Sequence, residues 1–537
     1  MKNNKFYFKN RILLALLLSL VVFNSCTKKF EEFNTDSNGV SNTQLIPDNN
    51  NIGGFYPELQ YSIVPNNPSG ANSLQGVLGE YHISCPFAGY LTEAYPEESP
   101  GNSYNFTGWD NYGLWGIGYN AVMAPVNNLK TLGTPASSPD FWAIALILQV
   151  AEMHKITDIY GPVPFSKYGL GGTTVSYDNQ QSIYTAFFDE LDTAVNNLKK
   201  YIASFPGSNP FKKFDVVYAG DYSKWLKYAN SLRLRLAMHI VKIDPATAKQ
   251  QALKAIDPAN GGVFTSNADN ATSKGGFNLL WSSSKQWVTI RAGAAIVSYM
   301  DSYNDPRISE YFEKSSFDPT KYIGLKQGYV QSGYLDLLKF SDISEKFAQS
   351  TPATMMTVSE VNFLLAEGAL RGWNMGGTPQ MFYEAGIQNS LDQWGVGGAA
   401  ITYINNSISK PNNYVDPLQP LNNSPTLSTI TIKWDDAAAK EENLERIITQ
   451  KWIANFPDGT ESWTNFRRTG YPKLFPVTAS RNNSGGTIST DIQIRRSPYP
   501  VSEYTNNAAE VAKAIIILGG PDNGGTRVWW DVNGPNF

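Results

Sequence analysis

The sequence is poor in the residues that build metal centres and disulfide frameworks. Its 537 residues include only 3 histidines and 2 cysteines, which cannot form a disulfide framework and leave little material for a histidine-based metal site. Charged residues make up 17%, with 43 Lys and Arg against 47 Asp and Glu, whereas an ordinary soluble domain has roughly 25%. Because the chain is slightly acidic and has no basic runs, nucleic acid is excluded as its main partner.

Aromatic side chains are abundant instead. The chain has 13 Trp, 29 Tyr and 27 Phe, together with 44 Gly and 31 Pro. Apolar residues make up 42% of the sequence, which is enough to bury a sizeable core, so wholesale disorder is also excluded.

The first 25 residues have the pattern of a lipoprotein signal peptide. A basic beginning leads into an apolar stretch from Ile12 to Phe23, which is too short to cross a bilayer as a helix. Cys26 follows at the place where such a signal puts its acylated cysteine, and several acyl chains would anchor the protein stably. We predict that residues 1–25 are removed, that Cys26 is lipidated, and that residues 26–57 form a polar tether. Ordinary secretory cleavage, with Cys26 incidental, is the alternative.

Helical periodicity runs through residues 58–537, which we predict to be a single domain. It is clearest from Asp221 to Val241, where apolar side chains recur every three or four residues and Asp221 can cap the first turn. Further helices are predicted at Leu114–Leu129, Phe141–Thr157, Ser182–Lys200, Val358–Gly372, Pro379–Trp394 and Glu441–Asn455. Neighbouring helices pair in the manner of tetratricopeptide-like hairpins, which bury their faces by stacking.

Four stretches rich in Gly, Asn and Pro interrupt the helices, at residues 85–113, 258–290, 396–430 and 476–500. Loops this long in a compact domain are usually functional or disordered, and a disordered linker seldom keeps tryptophan. A flat aromatic ring can stack on the C–H face of a sugar at low entropic cost. We therefore predict five ligand-stacking residues in the first two loops: Tyr90, Tyr95, Trp109, Trp281 and Trp287. For each of them, packing against the helices is the alternative.

The sequence lacks the common catalytic motifs. It has no Gly-x-Ser-x-Gly elbow, no Walker A loop and no His-Glu-x-x-His string. The acidic pairs Glu97-Glu98 and Asp435-Asp436 are sequence neighbours, whereas a glycosidase needs two carboxylates that face each other about 5–9.5 Å apart. The three histidines lie far apart and are expected to be structural. We predict no catalytic residue, no metal site and no cofactor.

Five segments in fixed order carry a family resemblance. They are CTKKFEEFNTD from Cys26, TDIYGPVPF from Thr157, the run from Tyr218 to Arg235, the run from Gln450 to Pro472, and RSPYP with the ending TRVWWD. Together they closely resemble the SusD/RagB-like family of Bacteroidetes outer-membrane lipoproteins, in its branch described as starch-binding and associating with the outer membrane. The resemblance covers essentially the whole chain after the signal peptide.

This resemblance implies a mostly α-helical SusD-like fold with about four tetratricopeptide-like helix pairs and large irregular inserts that bear the ligand. It implies that Trp225, Arg233, Trp463 and Arg467 are scaffold residues. It also implies a surface-exposed protein, lipid-anchored in the outer membrane, that captures a glycan without catalysis and delivers it to a SusC-like TonB-dependent transporter. Two alternatives stay open, namely a transporter lid with a structural role or an oligopeptide ligand, and a hydrolase.

Overall fold

The computed structural model describes residues 42–64, 66, 73–95, 99–109, 113–330 and 333–537. The predicted signal peptide, Cys26 and the beginning of the predicted tether lie outside these residues. The chain divides into two compact units with a boundary between Gly54 and Phe55. In the first unit the described part forms the short helices Asn42–Leu45 and Asn50–Gly53. The division into a tether up to residue 57 and a domain from residue 58 stays a prediction.

Helices of eight or more residues form the scaffold of the second unit. In the described part of the chain they are α1 (Tyr56–Ile63), α2 (Ala124–Thr131), α3 (Pro139–Tyr160), α4 (Gln180–Ser204), α5 (Tyr222–His239), α6 (Pro245–Ile256), α7 (Ala294–Ser302), α8 (Val358–Leu370), α9 (Pro379–Gln393), α10 (Lys440–Ala454), α11 (Gly459–Thr469) and α12 (Ala508–Leu518).

Shorter elements connect these helices. The short α-helices are Ser73–Val77, Cys85–Phe87, Pro100–Ser103, Thr134–Ser137, Leu279–Trp281, Ile308–Tyr311, Tyr334–Leu337, Ala400–Ile404 and Val501–Asn506, and the π-helical segments are Leu78–Ser84, Ile117–Met123 and Ser282–Gln286. The 3₁₀ turns are Lys212–Phe214, Pro258–Asn260, Asn267–Asp269, Gly397–Ala399, Pro420–Asn422 and Ala479–Arg481.

Six short strands form three antiparallel pairs in the described part of the chain. They are β1 (Leu91–Glu93), β2 (Val163–Pro164), β3 (Tyr177–Asp178), β4 (Ala271–Ser273), β5 (Ile290–Ala292) and β6 (Ala353–Met356). β1 pairs with β5, β2 with β3, and β4 with β6. The fold is therefore mostly α-helical, as predicted.

The predicted helix pairs are packed against each other. α3 packs on α4, α4 on α5, α5 on α6, and α8 on both α9 and α10. The predicted helix from Leu114 to Leu129 begins as the π-helical segment Ile117–Met123, continues as α2 and packs on α3. This arrangement is consistent with tetratricopeptide-like stacking, in which each hairpin buries its face against the next.

Local sequence explains where α5 begins and which way it faces. The Asp221 side chain accepts hydrogen bonds from the backbone N–H groups of Ser223 and Lys224, at 3.0 and 3.2 Å, as a helix N-cap does. Trp225 and Leu236 on the predicted apolar face are fully buried. The predicted cap and core face of this helix are confirmed.

Buried arginine and tryptophan side chains join distant parts of the scaffold. The Arg467 guanidinium lies 3.8 Å from the ring centroid of Trp463 and 4.7 Å from that of Trp530, and donates to the carbonyl oxygens of Asp158 and Arg495 at 2.5 and 2.9 Å. Desolvation, only partly opposed by Asp158, lowers the pKa of Arg467 to about 9. This residue therefore ties α11 to the end of α3 and to the C-terminal segment.

Trp225 and Arg233 have comparable roles on α5. The Trp225 indole N–H donates to the Asp215 carboxylate at 2.9 Å, whereas Arg233 reaches Asp192 on α4 and Gln251 on α6, both at 2.6 Å. The scaffold roles expected for these residues are confirmed.

The three histidines are buried and have partners. His82 Nδ1 lies 2.9 Å from a Glu93 carboxylate oxygen, His154 Nδ1 lies 2.9 Å from the Val150 carbonyl oxygen, and His239 lies between Asp158 and Glu461. Burial lowers the pKa of His154 to about 3. Their structural placement agrees with the sequence expectation.

Candidate ligand-binding surface

The two aromatic loops meet at the β1–β5 pair. Leu91 pairs with Ala292 and Glu93 with Ile290, and the Ala94 N–H then donates to the Thr289 carbonyl oxygen at 2.8 Å. Because the strands are antiparallel, the chain leaving β1 runs beside the chain that enters β5. Residues almost two hundred positions apart are thereby placed at one end of the same short ladder.

Tyr334 joins the two loops from a third segment. Its ring lies edge-on to the ring of Tyr95, with 5.9 Å between the centroids, and its hydroxyl donates to the Val288 carbonyl oxygen at 3.1 Å. The Tyr329 hydroxyl donates to the Tyr95 carbonyl oxygen at 3.0 Å. We call Tyr95, Trp287 and Tyr334 the aromatic patch.

The aromatic patch is open to solvent. Tyr95 is 49% exposed and Trp287 is 39% exposed, whereas Tyr334 is half-buried. Leu335 follows Tyr334 directly and is 75% exposed. Aromatic rings of this size are normally covered, and a group of exposed ones indicates a binding surface.

The backbone beside Trp287 is held in an uncommon conformation. Val288 has φ of 56°, a left-handed region that a β-branched residue rarely adopts. The Val288 carbonyl oxygen accepts from Tyr334, and the Trp287 N–H donates to the Ser282 carbonyl oxygen at 2.8 Å. Such strain persists only where surrounding contacts hold it, and it is concentrated at ligand sites.

Glu93, two residues before Tyr95, is held by side chains from three other positions. The Asn102 side-chain amide donates to the Glu93 carbonyl oxygen at 3.1 Å, and the Ser99 hydroxyl donates to the Glu93 carboxylate. His82 contacts the other oxygen of that carboxylate. The backbone that leads into Tyr95 is therefore well anchored.

One lysine beside the patch is paired with several carboxylates. Lys285, two residues before Trp287, lies 3.0 Å from Glu313, 3.2 Å from Asp342 and 3.5 Å from Glu345. Burial alone would lower the pKa of Lys285, but Asp342 and Glu313 raise it above its ordinary value. This lysine therefore remains charged and paired, and the surplus of carboxylates around it disfavours an anionic ligand.

The other predicted stacking residues lie elsewhere. Tyr90 is fully buried, with its ring stacked on Trp452 at 5.5 Å and edge-on to Phe456 at 5.3 Å, and its hydroxyl contacts Ser462 Oγ at 2.6 Å. This placement corrects the expectation for Tyr90, because a covered ring offers no face to a ligand.

Trp109 and Trp281 are both half-buried. Trp109 ends a turn in which its N–H donates to the Phe106 carbonyl oxygen at 2.9 Å. Trp281 lies edge-on to Phe277, with 5.9 Å between the ring centroids. Their part in ligand binding stays a prediction.

Tyr334 was missed by the sequence reasoning. It follows Gly333 at the start of the short helix Tyr334–Leu337, in a segment without clear periodicity. Tyr329 and Tyr334 each directly follow a glycine, and this pattern was the available signal.

Other site chemistry is sparse in the described part of the chain. There, no group of three His, Cys, Asp or Glu side chains is placed to hold a metal ion, and none of the helices is long and apolar enough to cross a membrane. Cys85 is buried and unpaired by any disulfide.

A helical-repeat scaffold offers an extended surface for binding, and the exposed aromatic rings on its loops form a candidate site of that kind. The family model for SusD-like proteins, described as SusD and RagB outer-membrane lipoproteins, matches residues 32–531. The chain therefore belongs to the SusD-like family of outer-membrane lipoproteins. No curated protein matches the chain.

Solved structures of SusD homologues are similar over nearly the whole chain. A chitin-binding SusD homologue from Flavobacterium johnsoniae is 42% identical, with a TM-score of 0.85 over 90% of this chain and 100% of that one. A SusD homologue from Bacteroides vulgatus is 36% identical, with a TM-score of 0.84 over 90% and 98%. One from Bacteroides uniformis is also 36% identical, with a TM-score of 0.82 over 90% and 99%.

Proposed function

We propose that this protein captures a glycan at the aromatic patch and delivers it to a SusC-like TonB-dependent transporter in the outer membrane. The carrying observation is that three distant segments meet here: the Tyr95 and Tyr334 rings are in contact, and the Tyr334 hydroxyl donates to the Val288 carbonyl oxygen, directly after the exposed Trp287. Exposed rings suit a hydroxyl-rich ligand that presents a C–H face.

Membership of an outer-membrane lipoprotein family supports the proposed location. We further propose that Cys26 carries the lipid, that the protein is exposed at the cell surface and that its action is non-covalent. The carboxylates near the patch are held by Lys285 rather than arranged as an acid and base across an open cleft. This supports binding over hydrolysis.

Chito-oligosaccharides are the first ligands to test, because the similar protein from Flavobacterium johnsoniae is described as chitin-binding. Isothermal titration against chito-oligosaccharides, starch oligosaccharides and a set of oligopeptides should show saturable binding to one glycan class. Binding to peptides alone would replace the glycan with the oligopeptide alternative. Binding to nothing in the panel would favour a lid with a mainly structural role.

The transporter is tested separately. An affinity-tagged copy, extracted with its membrane in mild detergent, should bring down a TonB-dependent barrel, and the Cys26→Ser variant should be released from the membrane. Isolation of the protein without any barrel would contradict the delivery step.

A further inference from the structure

The end of α4 and the loop that follows it form a basic stretch in an acidic chain. Residues 193–214 contain four lysines and no aspartate or glutamate, whereas the whole chain has 47 Asp and Glu against 43 Lys and Arg. Lys200, Lys212 and Lys213 are exposed, and Lys199 is half-buried. We call these four lysines, together with Phe205, the basic end.

The loop folds back onto α4 and brings the two pairs of lysines to the same end of the second unit. The Tyr201 ring, in the last turn of α4, lies 5.0 Å from the Phe205 ring between centroids. The rings of Tyr201 and Phe211 both pack on Tyr222, at 5.3 and 6.4 Å. The 3₁₀ turn Lys212–Phe214 therefore lies beside the end of the helix.

The lysines of the basic end form no ion pair with the described residues. Lys199 donates to the Asn260 side-chain oxygen at 3.5 Å, which is a neutral partner. Asp192, earlier on α4, is instead paired with Arg233 and Lys254, at 2.6 and 2.7 Å. The positive charge of the basic end is therefore available to an anionic partner.

An exposed aromatic ring accompanies this charge. Phe205 follows α4 directly and is 56% exposed. Proteins that lie on anionic membranes combine lysines, which are attracted to headgroup phosphates, with apolar or aromatic side chains that enter the interface. The basic end has both components.

The chain that comes from the proposed lipid anchor enters the second unit at this end. Tyr56, thirty positions after Cys26, begins α1, and its ring lies edge-on to Phe211 with 4.9 Å between the centroids. One helical turn later, the Gln60 side-chain amide donates to the Phe214 carbonyl oxygen at 2.8 Å. α1 is therefore fastened to the turn that carries two of the lysines, and the basic end lies close to the point where the tether joins the domain.

We propose that the basic end is a membrane-docking surface that binds the phosphate groups of anionic lipids and so sets how the anchored protein stands on the outer membrane. This contact is separate from ligand capture. Each lysine close to an anionic surface strengthens binding about five-fold. Such a contact is weak alone, but a lipid anchor makes it intramolecular and raises its effective concentration.

The test measures co-sedimentation with vesicles in the Cys26→Ser background, so that acyl chains contribute nothing. The protein should bind vesicles of equal parts phosphatidylcholine and phosphatidylglycerol more strongly than vesicles of phosphatidylcholine alone. This binding should fall in about 1 M salt, where the Debye length is only about 3 Å.

Variants of exposed residues locate the surface. Lys212→Gln/Lys213→Gln should weaken binding to the anionic vesicles about 10- to 30-fold, and Phe205→Ala should weaken it several-fold. The matched control is Lys410→Gln/Lys433→Gln, since both lysines are exposed and lie on other elements; it should bind like the parent. Thermal melting checks that each variant is folded.

Three results would each overturn the proposal: equal binding to the two kinds of vesicle, equal losses in the basic-end and control variants, or displacement from the vesicles by millimolar inorganic phosphate. The last would indicate a site for small anions in place of a membrane surface. Glycan titration of Lys212→Gln/Lys213→Gln should be unchanged, so membrane docking and glycan capture can fail separately.

Discussion

Removal of the exposed rings of the aromatic patch should weaken glycan binding by an amount that follows from their exposed area. Trp287 is 39% exposed and Tyr95 is 49% exposed. With a side-chain area of about 200–250 Å², each presents roughly 100 Å² to a ligand. At about 25 cal/mol per Å² this area is worth at most ~2.5 kcal/mol. Because a sugar covers one face of a ring, we expect about 1–2 kcal/mol for each.

Trp287→Ala and Tyr95→Ala should therefore each raise the Kd for the bound glycan about 5- to 30-fold. The double variant should lose about 2–4 kcal/mol, with some departure from additivity because the two loops share Tyr334 as a neighbour. Isothermal titration with the best glycan of the panel measures all three values.

Phe205→Ala is the matched control, since Phe205 is 56% exposed directly after α4 and outside the patch. It should bind like the unsubstituted protein. If the double variant keeps its affinity within two-fold while its melting temperature is unchanged, the reasoning from exposed ring area is refuted, and the ligand contacts lie elsewhere.

Three further predictions concern stability. Tyr90→Phe leaves the Ser462 hydroxyl without its buried partner. It should lower the free energy of unfolding, measured in urea, by about 1–3 kcal/mol, while the affinity for the glycan stays the same. A loss of affinity without a loss of stability would contradict the buried placement of Tyr90. Burial, partly opposed by a lysine, raises the pKa of Glu152 from 4.5 to about 8. Glu152 therefore ionises in the unfolded chain before it ionises in the folded protein, and the free energy of unfolding falls as the pH rises from about 4.5 to 8. The Glu152→Gln variant should become more stable relative to the unsubstituted protein across that range, by up to a few kcal/mol, and a stability difference that stays constant with pH would disprove this. Burial alone would raise the pKa of Glu367, but Arg468 and a second arginine lower it to about 2. The ionised Glu367 therefore stabilises the folded protein above about pH 4.5, and this stabilisation is lost as the pH falls toward 2. The Glu367→Gln variant should melt at a lower temperature than the unsubstituted protein at pH 7, and this difference in melting temperature should shrink by pH 3.

Most helices with a clear apolar stripe could be predicted from the sequence, although α6 and α12 were missed. α5 shows its cap and its core face directly. α11 was missed as well: it buries Glu461, Asn465 and Arg468, and Trp463 and Phe466 are its only large apolar side chains, which is too few to form an apolar stripe. Its polar side chains are satisfied by partners from distant segments, such as Glu367 for Arg468, and those partners are set by tertiary packing.

The aromatic patch was likewise predictable only in part. The composition of the two loops identified Tyr95 and Trp287 as candidates, but their common location depends on the pairing of β1 with β5. Each of these strands has three residues, too few to show a period in the sequence. The prediction for Tyr90 was wrong because composition does not show which way a side chain points. The chain turns at Gly89, with φ of 74°, and the Tyr90 ring packs inward against Trp452.

The pairing of β1 with β5 also bears on how such proteins diverge. Because the exposed rings stand beyond the last residue pair of the ladder, substitutions at Tyr95 or Trp287 leave the backbone hydrogen bonds of β1 and β5 intact. Selection can thus exchange the rings at the ladder's end without redesigning the stacked helices. Under the proposed role of the patch, a few changes at this edge would alter ligand preference while the scaffold is inherited unaltered.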